Sequence, residues 1–246
     1  MDSVTRFDDR ASDYVRYRPS YPAAAIDCIL EELGPPDRLV AVDVGAGTGI
    51  SARLLGDRGV HVLAVEPGEA MRGAAAPHPN VTWLGGTAEA TGLASGAVDL
   101  VLAAQAFHWF RPPRTLAEFA RILKPPGRLA IMWNRRNTTD PLTAAFRQAI
   151  FDVGGEAAAE RTPFDADAVS GSGLFSPVVR TAFPNAQRLD LDGLIGRAHS
   201  ASAVPKTGVL GERLLSVLRE LHARYADADG IVSVIYETEV FLARKL

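Results

Sequence analysis

Cysteine, long apolar runs and clustered basic residues are all scarce in this chain of 246 residues. Cys28 is the one cysteine, so no disulfide can form within the chain. No apolar stretch approaches the roughly 18 residues of a membrane span, and residues 1–6 lack the apolar core of a signal peptide. These absences favour a cytoplasmic protein that has no contact with a membrane.

The charge balance argues against nucleic acid as a partner. The formal net charge is −3, and lysine and arginine occur in runs no longer than pairs such as Arg135 and Arg136. Proteins that bind nucleic acid cluster positive charge, which displaces counterions from the phosphates. The histidines other than His108 also lack a metal-ligand spacing such as H-x-x-x-H, so we predict no metal site.

Short apolar runs alternate with helical segments along the chain, which predicts the fold. The runs that we interpret as strands are 40–44, 60–65, 81–84, 98–103, 128–133, 178–183 and 231–243, and helical spacing marks 49–56, 116–123 and 214–225. Strands that alternate with helices are typical of a parallel sheet with right-handed crossovers. We therefore predict an α/β fold, a doubly wound, Rossmann-like, mostly parallel seven-stranded sheet with helical lid insertions.

A glycine-rich turn follows the first predicted strand. Residues 42–49 read Val-Asp-Val-Gly-Ala-Gly-Thr-Gly, a strand that runs into a helix. Glycines let backbone N–H groups approach a ligand, and the start of a helix favours negative charge. Glu66 ends the next strand, where an acid can hold both ribose hydroxyls of an adenosine. Residues 47–52 also match the dinucleotide pattern G-x-G-x-x-A, so the turn predicts an adenosine-containing cofactor without identifying it.

Further positions along the chain resemble the class I S-adenosylmethionine-dependent methyltransferases. The residues that match the cofactor motifs of this family are Asp43, Gly45, Ala46, Gly47, Gly49, Glu66, Pro67, Met71, Thr87, Ala88, Glu89, Gln105, His108 and Trp109. The resemblance implies that Met71 packs against the adenine and that residues 87–89 meet the edge of the ring. It also implies that residues 104–110 lie at the methionine end of the cofactor, which would be S-adenosylmethionine.

The opening of the chain is similar to one branch of that family. Residues 7–22 look like the start of the trans-aconitate methyltransferase-like and UbiE-like small-molecule enzymes, in which this segment folds over the cofactor. The resemblance covers roughly residues 7–135 and is only general beyond them. We expect 1–246 to form a single methyltransferase domain, made up of an N-terminal helical cap (1–36), a cofactor-binding core (37–135), a lid and acceptor region (136–230) and a final strand (231–246).

Few side chains are needed for methyl transfer from a sulfonium, because positioning supplies much of the acceleration. His108 is the candidate base, since imidazole titrates near neutrality, although the residue could instead only bind the cofactor or shape the pocket. Tyr14 and Trp109 could face the sulfonium through their rings or simply pack in the core. Arg18 could grip a carboxylate of the cofactor or of the substrate, or be structural.

These observations favour a methyltransferase that acts on a small-molecule acceptor. Two alternatives share the glycine turn and Glu66: an NAD-type oxidoreductase of the Rossmann class, and a protein that binds S-adenosylmethionine without turnover. Methylation of RNA or protein is disfavoured by the charge of the chain. Oxygen, carbon and nitrogen all stay open as the methylated atom, and the sequence makes no prediction of the oligomeric state.

Overall fold

The computed structural model of the protein describes residues 16–158, 165–201 and 203–246. The strands are β1 (Val40–Val44), β2 (His61–Val65), β3 (Val81–Leu84), β4 (Val98–Ala104), β5 (Leu123–Arg136), β6 (Val179–Leu189) and β7 (Val232–Arg244). The helices are α1 (Ala23–Leu30), α2 (Ile50–Gly56), α3 (Glu69–Gly73), α4 (Pro112–Ile122), α5 (Pro141–Gly154), α6 (Ala166–Ser170), α7 (Leu191–His199) and α8 (Gly208–Tyr225). Among the described residues, no helix has the length and apolar character that crossing a bilayer requires.

The strands form one seven-stranded sheet in the order β3-β2-β1-β4-β5-β7-β6. Strands β1 to β5 are parallel, whereas β7 runs antiparallel to both β5 and β6. The predicted mostly parallel sheet is confirmed. The strand order reverses between β1 and β4, and ligands of such sheets bind outside the carboxyl ends of the strands at this switch point. The antiparallel strand near the edge departs from the fully parallel order 3-2-1-4-5-6 of dinucleotide-binding folds.

Helices cover both faces of the sheet, which makes the fold doubly wound. On one face α4 contributes Phe119 to a core with Ile131 of β5. On the other face α1 and α2 contribute Ile26 and Leu55. A third cluster joins α5, α7 and α8 to the start of β7, and its members include Phe146, Leu194, Leu214, Leu218 and Tyr236. The segments inserted after β5 and β6 thus pack against one another beside one end of the sheet.

Two strands are longer than their apolar runs predict. Strand β5 starts at Leu123 rather than residue 128 and continues to Arg136, and β6 continues to Leu189 rather than ending at 183. Strand β7 pairs with β5 from Arg128 opposite Arg244 to Arg136 opposite Tyr236. Backbone hydrogen bonds sustain this ladder through polar residues, whereas hydrophobic periodicity reports only the buried part of a strand.

Candidate active site

The glycine turn lies at the carboxyl end of β1, beside the switch point of the sheet. Gly45, Gly47 and Gly49 have φ angles of 69°, 57° and 77°, which side chains rarely adopt. A Cβ atom at Gly45 would lie 2.7 Å from Cβ of Ala106, and one at Gly49 would lie 2.7 Å from Cζ2 of Trp83. Glycine is therefore required both by the backbone conformation and by the close approach of neighbouring segments.

The carboxylate of Glu66 reaches back from the end of β2 to this turn. Its Oε2 accepts a hydrogen bond from the backbone N–H of Gly47 and its Oε1 accepts one from Gly68, both at 2.9 Å. Desolvation raises the pKa of Glu66, while these two bonds and the charge of Arg72 act in the opposite direction. An ionised carboxylate offers about four acceptor positions, so each oxygen can still accept a bond from a ligand.

A second acid, Asp43, lies beneath the turn in the interior of the protein. Its side chain is fully buried, and its Oδ2 accepts a 2.6 Å hydrogen bond from the hydroxyl of Ser51 in α2. Burial raises the pKa of Asp43 to about 7, although hydrogen bonds from Ser51 and Ala52 lower it and the charge of Glu66 raises it further. The negative charge of Glu66 thus acts on Asp43, and a positively charged ligand near the two acids would stabilise their ionised forms.

The residues predicted to meet the adenine follow β2 and β3 at the same edge of the sheet. Met71 in α3 and Ala88 are buried, and Thr87 forms an isolated bridge with Ala90. Glu89 has a role that its motif did not indicate. Its Oε1 accepts a 2.9 Å hydrogen bond from the backbone N–H of Arg111, the N-cap residue that directly precedes α4.

The bond from Arg111 makes Glu89 a cap of helix α4, a position where negative charge is favourable. The hydroxyl of Thr115 donates a 3.3 Å bond to the same oxygen. Within the described ranges, the other oxygen of Glu89 accepts no hydrogen bond. Contact of Glu89 with an adenine amino group stays a prediction.

The segment of residues 104–110 carries a histidine that packs against two tryptophan rings. Gln105 adopts a φ of 55°, and its side chain donates to the carbonyl of Asn134 at 3.1 Å, which links β4 to β5. The ring of His108 lies 4.6 Å from that of Trp109 and 5.1 Å from that of Trp133, measured between centroids. The turn that carries His108 also places Ala106 against Gly45, so this segment borders the glycine turn.

The two remaining predicted residues lie in or before the segment that precedes α1. Arg18 donates a 3.0 Å hydrogen bond from Nη2 to the carbonyl of Ser200, directly after α7. This contact gives Arg18 a structural partner, and its binding of a carboxylate stays a prediction. Tyr14 lies outside the described residues. In the part of the chain that the structure describes, no group of three or more His, Cys, Asp or Glu side chains could hold a metal ion.

Sequence reasoning did not identify the contacts that fix residues 17–20 over the sheet. Asn134 of β5 and Asn185 of β6 each donate a side-chain hydrogen bond to the carbonyl of Ser20, at 3.1 and 2.9 Å. Gln187 donates a 2.9 Å bond to the carbonyl of Tyr17. These partners are separated by more than a hundred residues, so no local pattern in the sequence could have indicated them.

The sheet order, the glycine turn at the switch point and the acid after β2 are together typical of Rossmann-like domains. Residues 42–131 match the family model described as a methyltransferase domain. An uncharacterised methyltransferase of Mycobacterium tuberculosis is 42% identical over 137 residues, which are 55% of this chain and 55% of the relative. The matched region thus spans about half of that relative.

Two further similarities extend over most of the chain. An uncharacterised methyltransferase of Schizosaccharomyces pombe is 28% identical over 237 residues, which cover 93% of this chain and 88% of the relative. The solved structure of a candidate type II methyltransferase from Anaeromyxobacter dehalogenans has a TM-score of 0.61 and 27% identity, covering 93% of this chain and 97% of that one. These similarities support the assignment of the chain to the class I S-adenosylmethionine-dependent methyltransferases. They favour this class over the NAD-type oxidoreductases, and the UbiE-like branch stays a prediction.

Proposed function

We propose that this protein transfers a methyl group from S-adenosylmethionine to a small-molecule acceptor. The observation that carries the proposal is the Glu66 carboxylate, which Gly47 and Gly68 hold against the glycine turn. A carboxylate that is already oriented, and that keeps free acceptor positions, suits the paired hydroxyls of a ribose. The similarity to methyltransferases supports the cofactor, and the net charge of −3 supports a small molecule rather than nucleic acid as the acceptor.

Residues of this chain would contact the ribose, the adenine and the methionine part of the cofactor. Glu66 would accept the ribose hydroxyls, Met71 would pack against the adenine, and residues 104–110 would border the methionine end. When bound, S-adenosylmethionine supplies an electrophilic methyl group on a sulfonium. Asp43 and Glu66 are the two acids that would balance the positive charge of such a ligand, and that charge would favour their ionised forms against the burial that raises both pKa values. The hydroxyl of Thr48 is buried without a hydrogen-bond partner in the described part of the chain.

His108 is the residue that would face the acceptor beside the methionine end. Its ring packs between Trp109 and Trp133, and this packing supports a role in shaping and drying the pocket. A role as general base requires in addition that the ring accept a proton from the acceptor. The two roles differ in pH dependence. A general base gives a rate that falls as pH drops through the histidine pKa, and this fall disappears in His108→Gln, whereas a pocket residue leaves the profile unchanged.

Calorimetry with S-adenosylhomocysteine, the product form of the cofactor, tests the proposal without knowledge of the acceptor. We expect one molecule to bind per chain, and no binding to NADH. Transfer of a labelled methyl group into fractions of a metabolite extract then identifies the acceptor. Failure to bind S-adenosylhomocysteine overturns the proposal as a whole. Binding without transfer into any fraction favours the alternative of a cofactor-binding protein that does not turn over.

A further inference from the structure

Helix α7 carries an arginine whose charge is buried. Arg197 is 3% exposed. Its Nε donates a 3.2 Å hydrogen bond to the hydroxyl oxygen of Tyr236 on β7, and its Nη1 donates a 3.2 Å bond to the hydroxyl oxygen of Ser200. Both partners are neutral groups. They fix the orientation of the guanidinium but do not compensate its positive charge.

No acidic side chain pairs with Arg197 among the residues that the structure describes. Arg180, which is far more exposed, contacts both Glu237 and Glu239. Buried Arg128 donates two hydrogen bonds to backbone carbonyls at 2.8 and 2.6 Å, and the negative charges of Glu31 and Glu32 act on it as well. A buried charge without a partner is costly, and proteins retain one where a ligand or another group completes it. Within the described ranges no acidic side chain compensates the charge of Arg197, and a bound anion would do so.

Around Arg197, hydrogen-bond donors outnumber the acceptors that the described residues provide. A guanidinium has five N–H groups. The described residues accept hydrogen bonds from Nε and Nη1 of Arg197, but they accept none from Nη2. The hydroxyl of Tyr236 accepts the bond from Nε, yet its own proton has no acceptor within the same residues. Ser200 donates to the carbonyl of Arg197 at 2.8 Å and is satisfied. The donors that remain on Arg197 and Tyr236 suit an anion.

This pair of residues lies at the carboxyl edge of the parallel strands, which is the edge of the glycine turn. Tyr236 is opposite Arg136, the last residue of β5. Trp133, which contacts His108, is three residues earlier on that strand, and a strand rise near 3.3 Å per residue places it about 10 Å away along β5. Residues three apart on a strand point to opposite faces of the sheet, so an acceptor that contacts both Arg197 and a group near His108 would have to pass over the carboxyl end of β5, a separation that a small molecule can span.

We propose that Arg197, oriented by Tyr236, binds a carboxylate of the methyl acceptor. The inference rests on the proposed function, because it names the class of molecule that the methyltransferase would use. A planar guanidinium fork matches a carboxylate through two parallel hydrogen bonds, and its single positive charge balances one carboxylate. Arg197 acts as a specificity-determining residue, whereas Tyr236 acts on the anion through its bond to Nε and through its hydroxyl proton, which no described residue accepts.

The test uses the full chain saturated with S-adenosylhomocysteine and two matched pairs of probes. Benzoate is compared with benzamide, and acetate with acetamide, because the members of each pair differ in charge but hardly in shape. Calorimetry should show that at least one acid binds about tenfold or more tightly than its amide, since hydrogen bonds to charged groups are the stronger ones. Inorganic phosphate serves as a third probe and should bind more weakly than the carboxylate.

Variants then assign the preference to particular side chains. Arg197→Met should abolish the preference for the acid, and Tyr236→Phe should weaken binding of the acid by roughly fivefold, the loss of one hydrogen bond. Arg188→Met is the matched control, because Arg188 is an exposed arginine on β6 that pairs with Asp227 at 3.5 Å. It should leave the preference unchanged. Arg197→Lys keeps the charge without the planar fork, and provides a second variant if the methionine variant does not fold.

The two proposals fail in different ways. Equal binding of acid and amide by the wild type, a preference retained in Arg197→Met, or tighter binding of phosphate than of either carboxylate would each overturn the anion site. In those cases binding of S-adenosylhomocysteine would be intact. Loss of that binding in the wild type would instead overturn the proposed function. The affinity for S-adenosylhomocysteine and the melting temperature of each variant show whether a lost preference reflects a lost fold.

Discussion

Replacing Glu66 by alanine removes the carboxylate that we place against the ribose of the cofactor. Each ribose hydroxyl would donate one hydrogen bond to a charged oxygen, and such bonds contribute roughly 1.5–3 kcal/mol. Glu66 is only half-buried, so water weakens both bonds, and we take the lower bound for each. The sum of about 3 kcal/mol corresponds to a loss of roughly a hundredfold in affinity, since about 1.4 kcal/mol is a factor of ten. Glu66→Gln keeps one acceptor oxygen and should lose about tenfold.

The assay is calorimetric titration with S-adenosylhomocysteine, with Glu69→Ala as the matched control. Glu69 is exposed in the first turn of α3, three residues from Glu66, and should bind as the wild type does. Thermal unfolding of each variant checks that the glycine turn, which Glu66 supports through Gly47 and Gly68, is still folded. An affinity of Glu66→Ala within about threefold of the wild type would refute the role of Glu66. An equal loss in Glu69→Ala would show that the effect is not specific to the carboxylate.

Two further predictions concern the glycine turn and the acid beneath it. Gly45→Ala should bind S-adenosylhomocysteine at least tenfold more weakly, because the new Cβ would lie 2.7 Å from Ala106. The control is Gly92→Ala, where φ is 78° but no atom lies within 4 Å of the new Cβ. This variant should show only backbone strain of about 1 kcal/mol and unchanged binding. Equal losses in calorimetry would contradict the steric argument. Burial raises the pKa of Asp43 from 3.8 to about 7, so its contribution to the free energy of unfolding is fully present below the lower value and is lost as pH rises through the higher one. Asp43→Asn should therefore flatten the change with pH in the free energy of unfolding, measured by urea denaturation between about pH 5 and about pH 8. The exposed control Asp37→Asn should not flatten it. An unchanged slope in Asp43→Asn would refute the raised pKa of Asp43.

Much of the fold could be predicted because the central strands are buried on both faces. Runs such as 40–44 and 98–103 are continuous and apolar, so their type and order follow from local composition. The ends of β5 and β6 could not be predicted in the same way. Arg135, for example, belongs to β5 because β7 supplies its backbone partner, and the identity of that partner is not encoded near Arg135 in the sequence.

The candidate site likewise has features that the sequence predicted and features that it did not. The order of Asp43, the glycines and Glu66 along the chain predicted a turn and an acid at one edge of the sheet, and the structure brings Glu66 into hydrogen-bond contact with Gly47. Glu89 was predicted from its motif as an adenine contact, but the motif gave no indication that the same carboxylate caps α4. The cap depends on Arg111, 22 residues further along the chain.

The amino-acid sequence by itself determined the alternation of strands and helices, the glycine turn and the acid that follows β2. These features depend on backbone angles and hydrophobic periods within a few neighbouring residues, which the local sequence controls. Only the tertiary structure decided that Arg197 would be buried beside Tyr236, which lies 39 residues away on another element. The partner of a buried charge is set by which surfaces pack together, and packing is a property of the whole chain.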